Sequence, residues 1–272
     1  MRKIIQRVLI ASIVGFYGGA AYAGTLEDIK ARGTMRVGVK ADSVPYGFLD
    51  STGQLKGAEI DLSRALADQL HVKFEPVIVT SSNRVQFLQQ GKVDLLVATL
   101  ADTPERRGPI DMIQPYYSSN GTNILARKDK HFTQWTQLKG LTLCGQQGST
   151  FNKWVEQTYG TTTMTFPTID EALAALRGGN CVAVVHNDGV LAMTLRNPEW
   201  KDYEMPLASQ FEQHHAIGVR KGDGSQTLGK FLSSTLTEWL KDGKLTGFYT
   251  AWKVPAFPPS EMPAKKKAAS NE

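Results

Sequence analysis

The stretch VDLLVATLADTPERR (Val93–Arg107) changes character half-way along. Its first part, VDLLVATL, is an apolar run closed by small and hydroxyl residues, the pattern of a buried strand. Its second part is a helix start: Thr103 suits an N-cap, Pro104 the first helical position and Glu105 the first turn. A strand that runs straight into a helix is the repeating joint of an α/β sheet, and such sheets collect ligands outside the carboxyl ends of their strands. Arg106 and Arg107 then stand in the first turn, where a cation opposes the helix dipole by about 0.3–1 kcal/mol. Either they point into water, or one of them joins the helix N-terminus in holding an anion.

The same alternation extends in both directions. Upstream come a strand TMRVGVKA, an amphipathic helix EIDLSRALADQL with Ile60, Leu62, Ala65 and Leu66 on one side, a strand KFEPVIV and a helix NRVQFLQQG ending at Gly91. Downstream, an irregular stretch with Tyr116 and Tyr117 leads to a strand GTNILAR. The pattern then restarts with strand LTLCG, helix STFNKWVEQTYG, strand TTMTFP, helix TIDEALAALRGG and strand CVAVVHND. A strand HHAIGVRK, a long helix SQTLGKFLSSTLTEWLKDG and a last helix near KLTGFYTAWK follow. Two successive βαβαβ runs imply an α/β protein of two doubly wound lobes with a cleft between them.

The ends read differently. MRKIIQRVLIASIVGFYGGAAYAG has a basic start, an apolar middle from Val8 to Phe16 and small residues around Ala21-Tyr22-Ala23. That is a secretory signal peptide over residues 1–23, cut after Ala23, with the bacterial periplasm as destination. No cysteine stands at the cleavage site to carry a lipid. The whole chain carries +5, but residues 1–23 hold Arg2, Lys3 and Arg7 and no acid, which leaves +2 after cleavage. The tail 255–272 reads as disordered and holds one of those charges, with Lys265, Lys266 and Lys267 against Glu261 and Glu272. The pI of 9.1 therefore overstates the basicity of the core, and no nucleic-acid partner is expected.

VGVKADSVPYGFLD, GAEIDLSRALADQL, TSSNRVQFLQQGKVDLLVATLADTPERRG, PYY, LKGLTLCGQQGST and GVRKGDG, in that order, resemble the periplasmic solute-binding proteins of polar amino-acid ABC importers over nearly all of Thr34 to Lys253. Ala58 departs from the pattern, which usually has an aromatic or bulky aliphatic residue there. The resemblance implies the type II periplasmic-binding-protein fold: lobe 1 from 24–125 and 218–254, lobe 2 from 126–217, and a two-strand hinge near Ile124–Arg127 and His215–Val219. It implies ligand-induced closure, a small-molecule partner in the form of one amino acid, an inner-membrane ABC permease that recognises the closed form, a monomer, and no cofactor or metal.

The resemblance also implies roles for residues. Thr-Pro-Glu-Arg matches the family's carboxylate site, so Arg106 is expected on the α-carboxylate, where its planar fork makes paired charge-assisted bonds, with Thr99 adding a hydroxyl. Ser149 and Thr150 open the helix across the cleft and serve either as caps or as ligand contacts. Lys40 and Arg84 stand where the aspartate/glutamate-binding branch carries cations for the side-chain carboxylate, Ser81 assists, and Tyr46 walls the ligand. Where the family has an aspartate for the ligand ammonium, this chain has Asn187, flanked by His186 and Asp188. Asp188 takes that role by a small shift, or the amine is held weakly, or the ligand is a dicarboxylate without an amine. Ala101 stands where the acidic-ligand branch often has a hydroxyl.

A glutamate/aspartate-binding protein is the expectation. The alternatives are a binding protein for an amine-free dicarboxylate, a sensor handing its closed form to a receptor, and a periplasmic dehydratase of the same fold acting on a prephenate-like dicarboxylate. No nucleophile–base pair stands out, and the adjacent His214 and His215 are poorly spaced to act from one face of a strand. Cys144 and Cys181 are expected to stay unpaired. In this fold their strands are parallel neighbours, so Cys144 would lie beside Val185 or His186 and Cys181 four or five residues back, about 13–17 Å away.

Overall fold

The structure, a computed structural model, describes residues 25–254. The expected signal peptide and the Lys-rich tail lie outside the described residues. The strands are β1 (Thr34–Val39), β2 (Asp42–Ser43), β3 (Gly47–Leu49), β4 (Leu55–Lys56), β5 (Lys73–Ile78), β6 (Leu95–Leu96), β7 (Ile110–Arg127), β8 (Thr142–Gln146), β9 (Thr162–Phe166), β10 (Ala183–Asn187), β11 (Tyr203–Glu204) and β12 (Gln210–Arg220). The α-helices are α1 (Leu26–Arg32), α2 (Ala58–Gln69), α3 (Arg84–Gln89), α4 (Pro104–Arg107), α5 (Thr150–Tyr159), α6 (Ile169–Arg177), α7 (Asp188–Thr194), α8 (Thr227–Lys241) and α9 (Lys244–Ala251).

The main sheet runs β5-β1-β6-β12-β7-β10-β8-β9, with β11 on β7, and β2, β3 and β4 form a small sheet of their own. β5, β1 and β6 are parallel, and so are β10, β8 and β9. Each parallel triplet is a doubly wound lobe. Between them β12 and β7 pair with each other antiparallel, β12 against β6 on one side and β7 against β10 on the other. This is the two-lobed type II architecture. The β7–β12 register shifts between Gln210 and Gln213 and again between His215 and Ile217.

Burial explains why these segments take these forms. On α2, Ile60, Leu62 and Leu66 are buried with β1's Met35, Val37 and Val39, so the apolar stripe of the helix closes on the sheet. Helix α9 packs on α2, and Trp252 donates Nε1–H to Asp61 at 2.7 Å, tying the last described residues back to the first lobe. In the second lobe, Leu143, Val155, Ala183 and Val185 share another core.

Three expectations are corrected. The stretch with Tyr116 and Tyr117, expected to be irregular, lies within β7, which runs unbroken from Ile110 to Arg127 because β12 supplies partners along it. Conversely, VDLLVATL contributes only Leu95–Leu96 as formal strand. The larger correction concerns the cysteines: Cys144 and Cys181 form a disulfide, with Cα atoms 5.7 Å apart. The strands are parallel neighbours as expected, but Val184, not Val185 or His186, lies opposite Cys144. The chain also bends at Cys181 and Val182, before β10 begins at Ala183. The spacing of an extended strand therefore does not apply, and the bend returns Cys181 to Cys144.

The crosslink spans a sequence separation of 37. A loop of that size is expected to contribute about 3–4 kcal/mol, chiefly by restricting the unfolded chain. Urea unfolding of Cys144→Ser/Cys181→Ser is expected to show that loss, and the wild type in reductant should approach the same midpoint.

Candidate functional site

The carboxyl ends of β1, β6, β8 and β10 and the starts of α3, α4, α5 and α7 converge on one cavity between the lobes. Ser81, Arg84, Thr99, Arg106, Ser149, Thr150 and Asn187 of the expected site residues line it. The local sequence sets each in place. Thr103 caps α4 by accepting from Arg106 N, and Pro104 fills the first turn. Ser149 caps α5 through Phe151 N, and Asn187 caps α7 through Val190 N.

The two arginines are held by main-chain carbonyls. Arg84 is buried and donates through Nη1 to the carbonyls of Ala98 and, at 3.1 Å, Thr99. Its buried Nε–H has no partner. Burial, with help from the Arg106 charge, lowers its pKa to about 9. Arg106 donates through Nη1 to Ala101 O at 2.8 Å and through Nη2 to Gly148 O at 3.1 Å, across the cleft. Burial lowers it to about 10, so both remain cations at neutral pH. Arg107, expected to be solvated, is exposed but makes a paired contact with Asp102 at 2.7 and 2.9 Å.

Thr99 sits in the left-handed region at φ 46°, a strained conformation for a β-branched residue. Two buried side chains grip it there. Arg84 takes its carbonyl, and Glu59 Oε1 accepts its N–H at 2.8 Å and the Tyr117 hydroxyl at 3.0 Å. Burial raises the Glu59 carboxyl to about 7.

Lys40 and Tyr46 are placed otherwise than expected. Lys40 is fully buried and ion-paired to Asp42 at 2.8 Å, with a second bond to Ser81 Oγ at 3.0 Å. It does not line the cavity. Burial pushes its pKa down while Asp42 pulls it back up, and Lys40 in turn holds the Asp42 carboxyl below its ordinary range against the effect of burial. Asp42 also accepts from Gln146 Nε2 at 2.7 Å, and Gln146 Oε1 faces Ser81 Oγ at 3.3 Å and His186 Nε2 at 3.2 Å. Since Asp42 and Ser81 belong to one lobe and Gln146 to the other, the bonds of Gln146 to Asp42 and to Ser81 bridge the cleft, while its bond to His186 stays within its own lobe. Tyr46 is buried behind the cavity. It and Asp188 line a second pocket with Gly121 and Ser209.

Gln146, Gln213, His215 and Phe151 also line the cavity and were missed in the sequence. Gln146 had a signal, the polar pair in QQGST at a strand end. His215, held between Ser118 Oγ at 2.8 Å and Asn120 Nδ2 at 2.7 Å, had none beyond being a buried polar residue. Among the described residues, no group of three or more His, Cys, Asp or Glu side chains is placed to hold a metal ion.

The model of one protein family matches residues 35–255, nearly the whole of this folded region. The chain belongs to the bacterial extracellular solute-binding proteins, family 3. It is 28% identical to the ABC transporter glutamine-binding protein GlnH of Bacillus subtilis over 84% of each chain. It is 24% identical to the L-glutamate/L-aspartate-binding protein of Pseudomonas aeruginosa, over 88% of this chain and 83% of that one. Among solved structures, the solute receptor for L-cysteine of Neisseria gonorrhoeae superposes with a TM-score of 0.79 at 28% identity, covering 88% of this chain and 98% of the other. In this structure the contact across the cleft is close. A Cβ on Gly148, at φ +75°, would stand 2.5 Å from Ser81 O.

Gly148→Ala is therefore expected to keep the cleft from closing. Calorimetry should show solute affinity down at least about tenfold, while urea unfolding shows stability lowered by only the about 1 kcal/mol that the backbone strain costs.

Acid sensitivity follows from the two buried histidines. Burial lowers His186 and His215 to about 3, from an ordinary value of 6.5. Between those values the unfolded chain binds protons that the folded one does not, so stability falls as pH falls from 6.5 towards 3. Glu59 acts oppositely between 4.5 and about 7, where the folded state holds the extra proton. Thermal melts should therefore show acid destabilisation that steepens below about pH 4.5. His215→Asn should reduce the slope by about 1.4 kcal/mol per pH unit.

Proposed function

We propose that this protein captures a small acidic solute of the amino-acid class, such as glutamate or aspartate, in the periplasm and delivers it to an inner-membrane ABC permease. The observation that carries this reading is the charge of the cavity wall: two guanidinium groups, Arg84 and Arg106, and no carboxylate. The relatives are named for glutamine, for glutamate and aspartate, and for cysteine, so their names leave the charge of the solute open. Arg106 takes the carboxylate common to these solutes, exchanging its bond to Gly148 O for a charged acceptor. Thr99, Ser149 and Thr150 add hydroxyls. Arg84 takes the second carboxylate, with its unpartnered Nε–H as one of the donors. Lys40 acts indirectly in this reading, by holding Ser81 and, through Asp42, Gln146.

Opening and closing would bend the β7–β12 ribbon, with 24–125 and 218–254 moving against 126–217. The register breaks at Gln213 and His215 support a bend there. Binding rather than catalysis is supported by the two cavity-lining imidazoles. With values near 3, neither titrates where a general acid or base of neutral pH would.

Arg106→Ala is expected to weaken binding of every carboxylate solute by about 2–5 kcal/mol, and Arg84→Ala to abolish the preference for acidic over amide side chains. Calorimetry against L-glutamate, L-aspartate, dicarboxylic acids, L-glutamine, L-lysine and L-arginine checks this. Tight binding of lysine or arginine with no acidic solute bound would sink the proposal.

A further inference from the structure

On the reading of the cavity as an acidic-solute site, we infer that it selects acidic amino acids by length and takes aspartate in preference to glutamate, because bonds that do not involve the solute fix the gap between the lobes.

Gln146 makes two of the bonds that cross the cleft. Its Nε2–H donates to Asp42 at 2.7 Å, and its Oε1 accepts from Ser81 Oγ at 3.3 Å. Asp42 is in turn held by the buried Lys40, and a charged acceptor makes the bond from Gln146 a strong one. Arg106 makes a third bond, to Gly148 O at 3.1 Å. A solute carboxylate that takes Arg106 displaces that third bond and leaves the two from Gln146 in place. Gly148 also lies so near Ser81 that a Cβ on it would stand 2.5 Å from Ser81 O. Widening the gap for a longer solute therefore loses contacts that the solute does not replace.

The two cations that would grip the solute are set close together. Arg84 Nη1 holds Thr99 O, and Arg106 Nη1 holds Ala101 O. Two residues of fully extended chain reach about 7 Å at most, and the left-handed turn at Thr99 shortens that span. After burial, the charge of Arg106 is the next cause that lowers the Arg84 pKa, as neighbouring cations require. The cavity has a volume of about 30 Å³, room for about two water molecules. Its sides are packed: Phe151 stands edge-on to His186 with ring centres 5.5 Å apart, and Val190 is buried. Glutamate holds its carboxylates one methylene farther apart than aspartate. A closely packed site rejects one added methylene by about tenfold or more.

The test uses the mature protein, unfolded and refolded under oxidising conditions to strip bound solute. Calorimetry compares L-aspartate, L-glutamate and L-2-aminoadipate, with L-asparagine and L-glutamine as the uncharged counterparts. Aspartate is expected to bind about tenfold or more tighter than glutamate, and aminoadipate more weakly still. Gln146→Ala removes both of its cleft-crossing bonds and leaves Lys40 paired with Asp42 inside their own lobe. In that variant the ratio of the two affinities should shrink towards parity, whereas a general loosening of the fold would lower both affinities alike. Ser81→Ala, which removes one of the two bonds, should move the ratio the same way by less. Glutamate bound as tightly as aspartate, or more tightly, would overturn the length selection and leave the acidic-solute reading standing. An unchanged ratio in the folded variants would overturn the part given to the cross-cleft bonds. Asparagine or glutamine bound with no acidic solute bound, or no binding of any of these compounds, would overturn the acidic-solute reading itself. Melting temperatures show which variants are folded, and Ser81→Ala carries the comparison if Gln146→Ala is not.

Discussion

The antiparallel pairing of β7 with β12 is the constraint on which the rest of the molecule depends. Each lobe is a parallel triplet that could twist freely about its own axis. The two long strands run from one triplet to the other and fix how the strand ends of one lobe face those of its neighbour. Because both triplets present their carboxyl ends to the same gap, the helix starts of α3, α4, α5 and α7 gather there too. Donors and cations concentrate in the gap as a result of topology, before any side chain is chosen for a solute.

What the side chains add is a division of labour between charges that face the cavity and charges that hold it together. Lys40 and Asp42 cancel one another and brace the lobes through Gln146. Arg84 and Arg106 lean on main-chain oxygens, which stabilise a guanidinium without neutralising it. The field in the cavity is therefore positive even though residues 24–272 together carry only +2. Net charge says little here. The placement of a few acids, each turned away from the cavity, decides what the wall attracts.

Much of this was legible in the sequence. The alternation of strand and helix patterns around VDLLVATLADTPERR pointed to the two lobes, and Thr103 and Ser149 cap their helices as their residue types predict; the capping of α7 by Asn187 was not read. Arg106 was legible because an arginine in the first turn of a helix needs an explanation, whereas Arg84 was singled out by the family resemblance alone. Lys40 lies elsewhere than expected for a physical reason: its partner is two residues away, and whether a lysine at a strand end meets a solute or its own neighbour depends on side-chain directions that spacing alone does not set. The irregular reading of Tyr116 and Tyr117 failed because strand length in β7 is dictated by a partner almost a hundred residues on, at β12. The disulfide was missed because a local bend at Cys181 overrides the spacing rule of extended chain. Glu59 and His215 are buried polar residues whose partners come from distant strands, so no local pattern announces them.

The bond between Cys144 and Cys181 joins the strand that carries Gln146 to the approach of the strand that carries His186 and Asn187. Half of the cavity wall is thereby a single cross-braced plate. Such a bond forms in an oxidising compartment and is kept open by the thiol buffers of the cytoplasm. The stiffness of that part of the wall therefore depends on the redox state of the chain's surroundings, with the two strands tied to one another only where thiols are oxidised.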